Sequence, residues 1–132
     1  MSHVGISYFT GEATLNINAI ATYRILESIL KNHKKCKFYQ SSSSEMFGST
    51  PPPQNEKTLF QPRSVYAISK VFAYHAVVHY RNAHSIFASN GILFNHESPR
   101  RGPTFVTKKI VMGLCRIKKD LQKRLYLSLI HI

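Results

Sequence analysis

A tyrosine and a lysine four positions apart are the pair in this sequence best suited to acid–base chemistry. Tyr66 and Lys70 lie in the segment YAISK, and Ser64 just ahead of them is a good N-cap for a helix. Residues four apart on a helix share one face. A phenol normally ionises only near pH ~10, but a neighbouring ammonium stabilises the phenolate, so the pair could exchange a proton with an alcohol. The alternative is a surface lysine packed beside a half-buried ring.

A second polar group lies in the segment QSSSSEMFGSTPPP, residues 40–53. Its serines and prolines are typical of a flexible or stiff linker. However, Glu45 interrupts the run, and a β-prone segment, residues 36–40, leads directly into it. The segment is therefore either a spacer or the edge of an active site that contains Ser43 and Glu45.

The elements that must position these residues alternate along the chain. Helical patterns are predicted over residues 13–32, 65–83 and from Thr104 onward, and strands over residues 36–40 and 86–94. Alternation of this kind favours an α/β fold with a parallel sheet, in which ligands bind at the carboxyl ends of the strands. Loops 41–63 and 95–103 both follow predicted strands, so we expect the chemistry there. The first and third helices have predicted apolar faces, respectively Ala19, Tyr23, Leu26 and Leu30, and Val106, Ile110, Leu114, Ile117 and Leu121.

The composition excludes several classes of protein. The chain has 132 residues, of which 43% are hydrophobic, and this content is too high for a disordered chain. No apolar stretch approaches the roughly 20 residues of a membrane helix, and the first residues lack a signal-peptide pattern. Cys36 and Cys115 are expected to be reduced packing residues. A formal net charge of +12 indicates a nucleic-acid partner, a phosphorylated ligand, or a chain whose balancing acidic residues lie elsewhere.

Four segments carry a resemblance to a known family: FYQSSSSEMFG, PRSVYAISK, GILFNHESPRRG and FVTKKI. Together they resemble the extended short-chain dehydrogenase/reductase superfamily and, within it, the GDP-mannose 4,6-dehydratase family. The resemblance extends from Ser2 to about Leu127. It implies a Rossmann-like fold and a lyase that converts GDP-mannose to GDP-4-keto-6-deoxymannose, a reaction of GDP-fucose biosynthesis. In that reaction, NADP takes a hydride from the sugar and returns it, and water is lost.

The resemblance also implies a role for each site residue. Ser43 would polarise the sugar C4 oxygen, and Glu45 would remove the C5 proton. Tyr66 would take the proton of the C4 hydroxyl, while Lys70 would stabilise the phenolate and hold the nicotinamide ribose. The remaining implied contacts are Ser2, Lys70, His96 and Arg101 for NADP, and Asn95 and Lys109 for the substrate, with no metal. Without the resemblance, His96 would be interpreted as a loop histidine and Arg101 and Lys109 as solvated charges.

The sequence departs from the family pattern in three places. The glycines, at positions 5, 11, 48, 91, 102 and 113, do not have the G-x-x-G-x-x-G spacing that cradles a cofactor pyrophosphate. Ala13 stands where the family has a tyrosine, and SLIHI replaces the family's continuation after Leu127. We therefore expect residues 1–127 to be a partial NAD(P)-binding, nucleotide-sugar dehydratase domain, and residues 128–132 a truncated or foreign tail. The sheet would lack its N-terminal strands, and the chain would lack most of the C-terminal substrate domain. We therefore expect the chain to be inactive alone.

Further expectations concern partners and location. The reduced cysteines indicate a cytoplasmic protein, and the residues indicate no nucleic-acid or membrane partner, since no aromatic platform lies beside the basic patch. The resemblance implies dimers or tetramers in the full-length family. Two other functions stay open from the residues alone: another nucleotide-sugar dehydratase or epimerase that shares Y-x-x-x-K, or a small basic nucleic-acid-binding module.

Overall fold

The computed structural model describes residues 3–127, which divide into two compact units, residues 3–94 and residues 95–127. The predicted cofactor contact Ser2 and the predicted tail, residues 128–132, lie outside the described residues. Among the described residues, no helix is both long enough and apolar enough to cross a membrane.

The first unit is a βαβ arrangement preceded by helices. Its elements are α1 (Val4–Ser7), α2 (Gly11–Leu15), a π-helical turn (Asn16–Ile20), α3 (Ala21–Asn32), β1 (Phe38–Ser43), a 3₁₀ turn (Ser44–Met46), α4 (Val65–His84) and β2 (Ala88–Leu93). The first and third predicted elements, the helices over residues 13–32 and 65–83, are confirmed, since the chain is helical from Gly11 to Asn32 and again in α4. The predicted start of α4 at Val65 is also confirmed, and Ser64 caps it.

The two strands form a parallel sheet, as the alternation of elements predicts. Phe38 pairs with Ala88 and Ser43 with Leu93, in unbroken register between these ends, and α4 forms the crossover. The predicted bounds of β1 were wrong, because the strand includes three of the serines that were expected to follow it. Ser42 and Ser43 are buried, and the Ser42 hydroxyl donates to Asn90 Oδ1 across the sheet at 3.3 Å.

The core of this unit lies where α3, α4 and the start of the strands meet. Its buried side chains are Leu26, Ile29, Val77, Tyr80, Ile86 and Ala88. The predicted face of the first helix is confirmed at Ala19 and Leu26. Tyr23 is 43% exposed and lies at the edge of that face, with its ring edge-on to Tyr80. Cys36 packs against this core as predicted, but Cys115 is exposed, so its prediction as a packing residue was wrong.

The second unit contains the loop after β2 and one helix, α5 (Val106–Lys118). The predicted apolar stripe of this helix is not buried: Val106 and Leu114 are each more than half exposed. Leu121 lies beyond the end of the helix, because the chain leaves helical geometry at Lys119. Among the described residues of α5, Gly113 is the one that is buried. The segment near Leu125 packs against it.

Candidate active site

The turn after β1 holds Ser43 and Glu45 in a fixed relation. Ser43 has extended backbone geometry and caps the 3₁₀ turn, and its Oγ accepts a hydrogen bond from the Glu45 backbone N–H at 3.2 Å. A hydroxyl has one proton and two lone pairs, so Ser43 keeps its own O–H for a further acceptor. The structure therefore holds the Ser43 hydroxyl and the half-buried residue Glu45 in one short turn at the carboxyl end of a strand.

The residues after Glu45 anchor this turn. Met46 and Phe47 are almost fully buried, and Met46 O accepts a hydrogen bond from Gln61 N at 3.1 Å. Gly48 has a φ of +53°, and a side chain there would collide with the Gln61 carbonyl. Because the chain is clamped immediately downstream, Glu45 is presented by a rigid turn rather than by a free loop.

The first turn of α4 carries Tyr66. Ser64 Oγ accepts a hydrogen bond from Ala67 N at 3.1 Å, which satisfies one of the free amides of the helix start. Ser7, at the end of α1, accepts a second hydrogen bond from Tyr66 N at 3.2 Å. Tyr66 is consequently fixed by its backbone, and its side chain is 8% exposed.

Lys70 connects the helix to the strand. Its Nζ donates to the Ser41 carbonyl oxygen at 2.8 Å and lies 5.7 Å from the centroid of the Tyr66 ring. Burial lowers the pKa of Lys70 below its usual value. The ammonium therefore contacts both β1 and the tyrosine, while Ser43 and Glu45 lie just beyond Ser41, at the carboxyl end of the same strand.

Two contributors to this site were not identified from the sequence. Ser7 supports the backbone of Tyr66, and the Ser41 carbonyl receives Lys70. A backbone carbonyl has no residue-type signal, and Ser7 lies 59 positions from its partner, so no local pattern reveals either contact.

The other predicted contacts lie in the second unit. Asn95 and His96 are exposed in the loop after β2, and Arg101 and Lys109 are half-buried. The Cζ atom of Arg101 lies 3.7 Å from the centroid of the Phe105 ring, and Arg101 Nε is buried with no hydrogen-bond partner. Lys109 lines an open cleft of about 1030 Å³ together with Arg116, Lys123 and Arg124, and none of the residues lining the cleft is acidic.

Each unit by itself contains a group that suits part of a nicotinamide dinucleotide, Lys70 in the first and Arg101 in the second. Lys70 uses one N–H on Ser41, and an ammonium has three, so two stay available for ribose hydroxyls. The buried Arg101 Nε, without a hydrogen-bond partner, belongs to a guanidinium suited to a phosphate. Across residues 3–127, no group of three or more His, Cys, Asp and Glu side chains is placed to hold a metal ion.

The family model and the curated relatives that match this chain agree on one family. The family model for GDP-mannose 4,6 dehydratase matches residues 1–131. GDP-mannose 4,6 dehydratase 1 of Arabidopsis thaliana is 51% identical over 131 residues, which cover 96% of this chain and 36% of that protein. GDP-mannose 4,6-dehydratase of Vibrio cholerae is 51% identical over 130 residues, covering 96% of this chain and 35% of that protein. The chain thus spans about a third of the length of the curated relatives it matches.

Solved structures share the fold. RMD from Pseudomonas aeruginosa, complexed with NADPH, superimposes with a TM-score of 0.85 at 24% identity, covering 92% of this chain and 43% of that one. DesIV, a dTDP-glucose 4,6-dehydratase from Streptomyces venezuelae with NAD and TYD bound, gives a TM-score of 0.81 at 21% identity, covering 87% of this chain and 36% of that one. The predicted α/β, Rossmann-like fold class is confirmed.

Proposed function

The chain belongs to the GDP-mannose 4,6-dehydratase family, and we propose that it carries the proton-transfer residues of an enzyme that removes water from GDP-mannose. The observation that supports this most directly is the position of Lys70, whose Nζ is 2.8 Å from the Ser41 carbonyl and 5.7 Å from the Tyr66 ring. A cation at this point would stabilise the negative charge that develops on Tyr66 as it takes a proton from the substrate.

In the proposed reaction, Tyr66 and Glu45 each accept one proton from the sugar. Tyr66 accepts the proton of the sugar C4 hydroxyl, with Ser43 donating a hydrogen bond to the same oxygen. The resulting C4 ketone acidifies the C5 proton, which Glu45 removes and passes to the C6 hydroxyl as it leaves as water; when hydride returns to C6, C5 regains a proton from Tyr66, the one taken from the C4 hydroxyl. A bound nicotinamide cofactor supplies the temporary acceptance of the C4 hydride and its return at C6, so the sugar undergoes no net oxidation.

We propose NADP as that cofactor and GDP-mannose as the substrate. The support for NADP is the resemblance of His96 and Arg101, with Ser2, to family positions that contact it. The basic cleft around Lys109 supports a substrate with a diphosphate, since four cations line it and no carboxylate does. Asn95, exposed after β2, would donate to sugar hydroxyls.

Three further expectations stay predictions. They are the cytoplasmic location, the absence of nucleic-acid and membrane partners, and a homo-oligomeric state. We also propose that the chain is inactive alone, because it spans about a third of the length of its relatives.

The test replaces the matching segment of the Vibrio cholerae relative by residues 1–131 of this chain, so that the relative supplies the remaining elements. We expect the chimera to convert GDP-mannose. Glu45→Gln and Tyr66→Phe should each lower kcat by roughly 100-fold or more, the usual contribution of a general acid or base.

Matched controls exist within the chain. Glu56→Gln changes an exposed carboxylate of the loop, and Tyr23→Phe changes a half-exposed tyrosine of α3. Both should leave kcat within about twofold, as surface substitutions usually do. A folded chimera that leaves GDP-mannose unchanged, or one that keeps full activity with Glu45→Gln, would contradict the proposal.

A further inference from the structure

Arg101 is held differently from the arginine beside it. Its guanidinium lies over the Phe105 ring, with Cζ 3.7 Å from the ring centroid, well within the range of cation–π contacts. Glu97 Oε2 lies 3.8 Å from Nε, at ion-pair distance but too far for a hydrogen bond. Arg100, by contrast, is exposed.

The ring itself is fixed by the backbone around it. Phe105 is the N-cap residue of α5, and its N–H donates to Gly102 O at 3.2 Å. Gly102 lies directly beside the ring, since a Cβ atom built there would be in van der Waals contact with it at 3.4 Å. Arg101 is tied to the same turn, since its N–H donates to Ser98 O at 3.0 Å. Ring and guanidinium are thus set by one continuous stretch of backbone.

This arrangement has a consequence for anion binding. An arginine side chain loses rotamer freedom when it binds a phosphate, and a chain that is already ordered loses less. A guanidinium stacked on a ring keeps its outer N–H groups in the plane, which is the geometry that a phosphate accepts in pairs. The Arg101 side chain keeps 24% of its surface exposed, so an anion can reach it.

We propose that Phe105 is a positioning residue, which holds the Arg101 guanidinium in place to bind a phosphate group of the nicotinamide dinucleotide. The inference rests on the proposed function only for the identity of that ligand. The position of the Arg101 guanidinium over the Phe105 ring and the remaining exposure of its side chain are the observations that carry it.

The test uses the complete chain and adenosine 2′,5′-bisphosphate as a phosphorylated probe, with adenosine as the probe without phosphate, both followed by calorimetry. Arg101→Lys and Phe105→Leu should each weaken binding of the bisphosphate by about five- to tenfold, the size of a partly desolvated cation–π contact. Phe105→Tyr keeps an aromatic face and should bind as the unsubstituted chain does. Adenosine should bind far more weakly to every variant.

The double variant separates positioning from a general structural effect. Because Phe105 acts only through Arg101, Phe105→Leu should add nothing to Arg101→Lys. Arg100→Lys, a matched change of the neighbouring charge, should alter affinity by less than about twofold. Additive losses in the double variant, or unchanged affinity in Phe105→Leu, would overturn the proposal, as would failure of the bisphosphate to bind.

A measurement on the unsubstituted chain guards against a variant that fails to fold. Protons of Arg101 above a ring face should resonate upfield, and the Nε–Hε signal should shift when the bisphosphate is added. Random-coil shifts for Arg101 would refute the stacked geometry directly. These outcomes are independent of the chimera assay, in which an inactive enzyme would count against the proposed function alone.

Discussion

Lys70 is shared between two neighbours, the Ser41 carbonyl and the Tyr66 ring, and it is also partly desolvated. Burial disfavours its charged form, and this is why its pKa is lowered, whereas the carbonyl hydrogen bond favours the charge. Such a residue contributes little to stability, since the cost of burying the charge offsets the hydrogen bond. Its value lies in the positive charge that it places beside Tyr66.

Lys70→Met should therefore separate activity from stability. In the chimera we expect kcat to fall by roughly 100-fold or more, while the free energy of unfolding changes by no more than about 1 kcal/mol. With a lowered folded pKa, the unfolded state binds more protons between the two pKa values, so stability rises with pH there. The variant should lose that rise in urea unfolding measured up to about pH 10. A loss of several kcal/mol would instead make Lys70 a structural residue.

At the scale of elements, two clamps position the site. The 3₁₀ turn is closed by the contact of Met46 with Gln61, and Gly48 makes that closure possible. The far half of α4 is joined to α3 by a hydrogen bond from the Tyr80 hydroxyl to Glu27 Oε1. One clamp fixes Glu45, and the other fixes the helix that carries Tyr66.

Gly48→Ala tests the first clamp. The positive φ and the collision with Gln61 should together lower the free energy of unfolding by about 2 kcal/mol or more. Because Glu45 sits three residues upstream, the chimera should also lose activity. Gly5→Ala is a suitable control, because Gly5 has no positive φ and a side chain there approaches only the edge of the His3 ring, at 3.3 Å. Equal stability of the two variants in urea unfolding would contradict the clamp.

Glu27→Gln tests the second clamp through its pH dependence. The Tyr80 hydroxyl and then Lys31 hold the pKa of Glu27 below its usual value of 4.5. A carboxyl with a depressed folded pKa adds stability above its unfolded pKa and loses it as pH falls through the folded value. Thermal unfolding should therefore depend on pH below 4.5 in the unsubstituted chain, and less so in Glu27→Gln. Identical pH profiles would show that this hydrogen bond does not contribute.

The features that depend on residues close together in the chain could be predicted from the sequence. The Ser64 cap, the start of α4 and the shared face of Tyr66 and Lys70 follow from local patterns. The extent of β1 could not be predicted from local patterns, because serine has a low strand propensity and the strand is imposed by pairing with β2. The exposed stripe of α5 was equally unpredictable, since periodicity identifies an apolar face but not whether anything covers it.

The whole molecule is dominated by its positive charge. The formal net charge is +12, and residues 95–127 contain nine basic residues against two acidic ones. Among the described residues, the ion pairs are Lys31 with Glu27 and Arg101 with Glu97. Most of the basic groups therefore repel one another through solvent, and this opposes the compact state.

Added salt should consequently stabilise the chain. Raising sodium chloride from about 50 mM to about 500 mM shortens the Debye length severalfold and screens the repulsion, so the unfolding midpoint should rise. Potassium chloride should act equally, as the effect is one of ionic strength. A midpoint that falls with salt would mean that the attractive pairs outweigh the repulsion.

The clamp below Gly48 also affects how the gene can change over evolutionary time. Ser49 N donates to Gln61 O at 3.3 Å and Thr50 Oγ1 to Leu59 O at 2.9 Å, so the loop is pinched before its outer residues, 51–58. Beyond the pinch, doubling the loop costs only about 0.6 kcal/mol of closure entropy. Inside it, one inserted residue would displace Glu45. Insertions and deletions can therefore accumulate among the prolines, whereas the number of residues in the short segment before them stays constant.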